Sequence, residues 1–154
     1  MEYTEGVRFD SLGLSPEIMR AIRRRELELT TPVQAGCIPP MMDWQDVIAK
    51  APTGTGKTFA YGIPIIEHVD PEDDAVQAVI LAPTRELAIQ ITDELRDISA
   101  FRPGVRCVCL YGGQPIGKQI DALKKRPQIV VATPGRLSDH MKRRTVRVDS
   151  AQTV

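Results

Sequence analysis

Apolar positions in this chain change period several times, and each change predicts an element. Ile18, Ala21 and Ile22 recur at helical spacing behind Ser15-Pro16-Glu17, which supplies an N-cap, a first-turn proline and an early acidic residue. They predict a helix running to about Arg25. Thr31-Pro32-Val33-Gln34 repeats the start signal, and Pro39-Pro40 should limit the second helix to about two turns. From there unbroken apolar runs alternate with helical ones. Val47-Ile48-Ala49, Val76 to Ala82, Val105 to Tyr111 and Ile129 to Ala132 read as strands. Between and after them Phe59 to His68, Arg85 to Ala100, Ile116 to Lys125 and Gly135 to about Arg143 read as helices. Leu87, Ile91, Leu95 and Ile98 mark one face of the longest helix. Near-continuous apolar strands separated by crossover helices predict an α/β fold, a parallel β-sheet with helices on both faces. Ligands in such folds sit beyond the C-terminal ends of the strands. Loops 51–56, 83–86, 112–114 and 133–136 are all expected there.

Composition narrows the picture. At 154 residues and 42% hydrophobic, the chain has the size of one ordinary domain with one core. No apolar run approaches a membrane span, and the first residues lack the basic and apolar regions of a signal peptide, so a cytoplasmic address is expected. Cys37, Cys107 and Cys109 form no Cys-x-x-Cys pair and read as small buried hydrophobes. His68 and His140 have no companion at ligand spacing and read as surface or helix-end residues. The formal charge of zero hides an asymmetry. Residues 1–101 carry 9 Lys/Arg against 17 Asp/Glu, whereas residues 102–154 carry 11 against 3. Such a division fits either a polyanion-facing surface or solvated helix faces.

The chemistry is concentrated in Ala51-Pro52-Thr53-Gly54-Thr55-Gly56-Lys57-Thr58, which has phosphate-loop spacing between an expected strand and an expected helix. Glycines there let successive N–H groups turn inward around phosphate oxygens at the positive end of the helix. Lys57 would reach the β- and γ-phosphates, and Thr58 would offer its hydroxyl to Mg²⁺. The motif points to a nucleoside triphosphate without fixing the reaction. Thr31-x-x-Gln34 is also a capping box, in which Gln34 satisfies only a helix-start N–H.

Four segments in order, Thr31-Pro32-Val33-Gln34, Ala51 to Thr58, Pro83-Thr84-Arg85-Glu86-Leu87-Ala88 and Thr133-Pro134-Gly135-Arg136, with Gly112-Gly113 between the last two, resemble the DEAD-box RNA helicases. The resemblance covers Phe9 to Val154. It implies an incomplete N-terminal RecA-like P-loop domain at 31–154, with residues 1–30 as a flanking segment holding the first helix of the adenine-recognition motif. It further implies that Gln34 reads adenine, that Phe9 stacks on the base, and that ATP and Mg²⁺ are cofactors. RNA-backbone contacts are implied at Pro83, Thr84, Arg85, Gly112, Gly113, Thr133, Pro134, Gly135 and Arg136. Glu26, Leu27 and Thr30 depart from the glycine, aromatic and proline common in the family.

The family's next element is a strand ending in Asp-Glu-Ala-Asp, which would begin at about Val154. Its carboxylates and a second RecA-like domain with an arginine finger are therefore expected in a longer parent, an ATP-dependent RNA helicase. The 154 residues alone are expected to hold nucleotide and RNA without hydrolysis. The other reading is a short, non-catalytic nucleotide- or RNA-binding module.

Overall fold

The computed structural model describes residues 6–154. It divides into two compact units, one comprising the chain up to His68 with Asp97–Pro103, the other Val69–Arg96 with Gly104–Val154.

The first unit is helical. A 3-10 turn at Phe9–Ser11 leads into α1 (Pro16–Arg24), capped by the Ser15 hydroxyl, which accepts from the Ile18 N–H. Ile18, Met19, Ala21 and Ile22 are buried, at the spacing expected from the sequence. Helix α2 (Pro32–Met42) packs against α3 (Lys57–His68). It runs through Pro39 and Pro40, contrary to the expected stop after two turns. Each proline removes one i→i−4 donor, but burial of Ala35, Cys37 and Ile38 against neighbours outweighs that loss. Beyond α2, Trp44 stacks on His68 with ring centroids 3.7 Å apart, and His68 Nε2 lies 3.0 Å from the Met42 carbonyl.

The strand expected at Val47-Ile48-Ala49 does not form. Residues 45–50 have no ladder partner among the described residues, and the Ile48 side chain is fully exposed. Apolar character selects burial, but a strand exists only where another strand satisfies its backbone groups.

The second unit carries the sheet: β1 (Ala78–Leu81), α4 (Arg85–Ile98, ending in the other unit), β2 (Cys107–Leu110), α5 (Ile116–Leu123), β3 (Ile129–Ala132) and α6 (Pro134–Lys142). The strands are parallel in the order β1-β3-β2, with Ala78 and Cys107 both in register with Ile129. Central β3 is wholly buried, as its Ile-Val-Val-Ala sequence requires. Val79, Val108, Leu110, Leu123, Val130, Leu137 and Val146 form the core. Thr153 forms an isolated parallel bridge with Ala78, its carbonyl accepting from the Val79 N–H at 2.9 Å. Cys37 is buried, but Cys107 and Cys109 are only partly so, because they occupy the outer face of β2. Burial still pushes the Cys107 thiol up to about 11.

Candidate functional site

In the first unit, loop 51–56 leads directly into the N-terminus of α3. Gly54 (φ 82°) and Gly56 (φ 76°) adopt left-handed backbone that side-chain-bearing residues rarely take. The Thr55 hydroxyl donates to the Pro52 carbonyl at 2.6 Å and closes the loop on itself. The Gly56 carbonyl accepts the Ala60 N–H at 3.2 Å, beginning the helix. The leading N–H groups of α3 and the positive end of its dipole therefore lie beside the loop. Thr53, Gly54 and Lys57 are exposed, and the Lys57 and Thr58 side chains form no hydrogen bond or ion pair with any described residue. This is the chemistry of an anion cradle, with an exposed ammonium and a hydroxyl beside it.

Gln34 joins the cradle to α2. Its Oε1 accepts the Thr31 N–H at 2.9 Å while the Thr31 hydroxyl accepts the Gln34 N–H at 3.4 Å, so the capping box is formed. Its Nε2 also donates to the Gly56 carbonyl at 3.2 Å, reaching beyond the cap to the loop itself. A Cβ on Gly56 would lie 2.2 Å from that Nε2, so a side chain here would have to displace the Gln34 amide in addition to adopting an unfavourable φ. One N–H and one lone pair of the amide remain, which is the donor-acceptor pair an adenine edge needs. Phe9 departs from expectation. It is 1% exposed, and its 3-10 turn is fixed by the Phe9 N–H donating to the Glu28 carbonyl at 3.0 Å. The ring is core, with no face open to a base, because an aromatic gains more by burial than by waiting for a ligand.

In the second unit, three loops meet at the C-terminal edge of the sheet. Thr84 caps α4, its hydroxyl accepting from the Leu87 N–H at 3.2 Å. Arg85 forms no ion pair with Glu86; its guanidinium lies 5.0 Å from the centre of the Tyr111 ring. A Cβ on Gly113 (φ 86°) would come within 3.4 Å of the same guanidinium. The end of β1 thus reaches the end of β2, across β3 in the strand order. Thr133 caps α6 by position, but its hydroxyl makes no capping bond, and Pro134 occupies the first turn. The Arg136 side chain is only 15% exposed. It donates to the Gln114 carbonyl at 3.2 Å, with Asp139 3.9 Å away, so it braces loop 112–114 as well as bordering the edge. Thr84, Arg85, Gly112, Gly113, Thr133, Pro134, Gly135 and Arg136 are therefore brought to one edge, with Pro83 exposed beside them.

A buried network holds this edge, and its members were not expected. Gln119 donates both amide hydrogens, to the Tyr111 carbonyl at 2.8 Å and to Gln114 Oε1 at 2.9 Å. Its own Oε1 must then accept from His140 Nε2 at 2.9 Å, while the ring Nδ1 lies 2.8 Å from the Thr145 hydroxyl, which donates to the His140 carbonyl at 3.1 Å. His140 is fully buried, not a surface residue, and burial, with Arg136 nearby, lowers its pKa below the usual 6.5. A signal existed. Gln119 falls on the apolar stripe of Ile116, Ile120 and Leu123, and His140 stands three residues after buried Leu137. A polar residue on a core-facing stripe implies a buried partner.

The family model for DEAD/DEAH box helicases matches residues 31–154. The chain is 53% identical over 146 residues to the DEAD-box ATP-dependent RNA helicase CshA of Geobacillus kaustophilus, covering 95% of this chain and 31% of that protein. It is 49% identical over 148 residues to the CshA helicase of Bacillus subtilis, covering 96% and 30%. The chain thus spans under a third of the length of these curated relatives. Among solved structures, it superposes on a DEAD box protein from the hyperthermophile Methanococcus jannaschii with a TM-score of 0.89 and 40% identity, covering 96% of this chain and 40% of that one. A hypothetical ATP-dependent RNA helicase from Sulfolobus tokodaii gives 0.80 and 36%, covering 89% and 39%.

Proposed function

The chain belongs to the DEAD/DEAH box helicase family, and from that premise we propose that it is the nucleotide-holding and RNA-contacting N-terminal portion of an ATP-dependent RNA helicase. The observation that carries this reading is the loop whose two left-handed glycines precede α3 and whose second glycine is bonded by Gln34. Loop amides and Lys57 would hold the phosphates of ATP or ADP, and Thr58 would meet Mg²⁺ through its hydroxyl or a water. The bound Mg²⁺-nucleotide supplies the group to be transferred. Gln34 would use its remaining donor and acceptor on adenine, a pattern that guanine does not match.

RNA would lie along the edge formed by loops 83–86, 112–114 and 133–136. The leading N–H groups of α4 and α6 would face phosphates there, beside Arg85 and the Thr133 hydroxyl. Contacts of this kind read no bases, so binding should be sequence-independent and sensitive to salt. In the parent helicase a second RecA-like domain would complete the site. Phosphoryl transfer also draws on positioned carboxylates and an arginine finger, which we assign to the rest of the parent helicase, so this chain alone should bind without turnover.

The test is binding of a short labelled poly-uridine strand, followed by anisotropy across a salt series. With about three phosphates neutralised, the log–log slope should be near −2, and Arg85→Ala should flatten it by about 0.7. A salt-independent affinity, or one that Arg85→Ala leaves untouched, would remove this edge from consideration.

A further inference from the structure

The excess of basic residues after position 101 is mostly not at the edge just described. The connection from β2 to β3 runs through α5, and α6 starts where β3 ends, so both helices return toward the N-terminal edge of the sheet. The end of α5 and the segments that follow α5 and α6 meet there around a groove of about 440 Å³. Leu123, Arg126 and Pro127 line one side, Val146 and Arg147 another, and Asp74 closes it just before β1. Lys124, Lys125 and Arg126 follow α5, and Lys142, Arg143, Arg144 and Arg147 follow from the end of α6; all seven are exposed.

Local pairing does not consume these charges. Lys124 lies 3.9 Å from Asp121, Arg126 3.5 Å from Asp74 and Arg147 3.8 Å from Asp149, each between side chains more than half exposed. Pairs of that kind contribute about 0–1 kcal/mol and exchange readily for another anion. Lys125, Lys142, Arg143 and Arg144 form no ion pair with any described residue. A helix C-terminus favours a cation in its last turn. That accounts for one residue per helix and leaves the rest, which repel one another unless a polyanion lies against them.

The geometry points to a second RNA-binding surface at this N-terminal edge, which takes the phosphate backbone of an RNA segment lying outside the strand on the loop edge. A protein partner would need buried apolar or aromatic anchors, and the exposed large apolar residue on these helix ends is Met141 alone among the described residues. Phosphates need only spaced cations. The two edges are separated by the length of four-residue strands, about 13 Å, and the helix turns beyond them. A short oligonucleotide held at the loop edge would therefore leave this surface empty, whereas a stem-loop carrying the same single strand would engage both.

The experiment compares the short poly-uridine strand with such a stem-loop, for the native chain and for Lys124→Gln/Lys125→Gln/Arg143→Gln/Arg144→Gln. The substitutions should weaken stem-loop binding tenfold or more at low salt and flatten its salt slope by about 2–3 units, while changing short-strand affinity less than twofold. Should the quadruple variant melt early, Lys125→Gln/Arg144→Gln is read instead, with half the slope change expected. Unchanged stem-loop binding, or equal losses for both RNAs, overturns the proposal. So does a loss confined to an acidic probe such as polyglutamate, which would assign the surface to a protein. The inference rests on RNA being the chain's partner but not on the loop edge being where a single strand sits. If Arg85→Ala spares the short strand while the quadruple variant weakens the stem-loop, the loop-edge reading fails and this one stands.

Discussion

Gly56 is held to glycine by two separable constraints, and its neighbour Gly54 by one. Gly54→Ala meets no atom within 4 Å and pays only for left-handed backbone, about 1–2 kcal/mol. Gly56→Ala incurs the same strain and also displaces the Gln34 amide. Thermal melts should therefore show the larger loss for Gly56→Ala, accompanied by weaker ADP binding; equal losses would mean that the Gln34 bond contributes nothing. Gln34 itself can be divided by chemistry. Glutamate keeps the acceptor that caps α2 through the Thr31 N–H but removes the donor to Gly56 and to a base. Because it also sets a buried carboxylate oxygen against the Gly56 carbonyl, Gln34→Glu should lower the melting temperature as well as weaken ATP binding by about 1–3 kcal/mol. Calorimetry beside the melt separates the two roles, and a fall in stability without a fall in affinity would leave Gln34 as a cap only.

Among the elements, the bond from α6 to α5 places the loop that follows β2. Replacing His140 with Leu keeps volume but strands the Gln119 oxygen, whereas Gln can still present an N–H near the position of Nε2. Amide exchange at Gly113 and Gln114 should quicken in His140→Leu and stay close to native in His140→Gln; identical exchange in both would dissociate the loop from the network. The pH dependence has a definite sign. With its folded pKa lowered, His140 contributes stability that is fully present above about 6.5 and declines as the pH falls toward the folded value, because the unfolded chain takes up the proton first. A chemical-denaturation series from pH 7.5 to 5 should show this slope in the native chain and a shallower one in His140→Gln.

The same elements show what the residues alone could disclose. The three strands that formed have apolar runs bounded by proline or glycine, and each found a partner in register. Val47-Ile48-Ala49 carries the same local signal without a partner, and pairing is a property of distant residues. Pro39-Pro40 misled for a related reason, since the cost to α2 is local and the packing on α3 is not. Phosphate-loop spacing survives without tertiary information because glycine backbone and helix start are both local. The network through Gln119 and His140 was written as misplaced polar residues on buried stripes, but its partners lie 5 to 21 residues away.

At the scale of the molecule, a formal charge of zero conceals an acidic stretch, 1–101, that holds the proposed nucleotide loop and a basic stretch, 102–154, that holds the proposed second RNA surface and part of the loop edge. ATP hydrolysis by this chain should stay at background with or without RNA, because positioned metal carboxylates and an arginine finger carry phosphoryl transfer. Robust RNA-stimulated release of phosphate would require a catalytic carboxylate among the acidic residues now placed on the surface. Ligand at about 100 times its dissociation constant should add roughly 2.7 kcal/mol of stability, and a melt in Mg²⁺-ADP would register it. The most direct measurement is calorimetric titration of Mg²⁺-ADP and Mg²⁺-GDP into the native chain and into Lys57→Ala. ADP should bind at least tenfold more tightly than GDP, with Lys57→Ala losing a further tenfold or more for ADP, the scale of one charge-assisted bond of about 1.5–3 kcal/mol. Equal affinity for the two nucleotides, or ADP binding indifferent to Lys57, would contradict an adenine-nucleotide site at this loop.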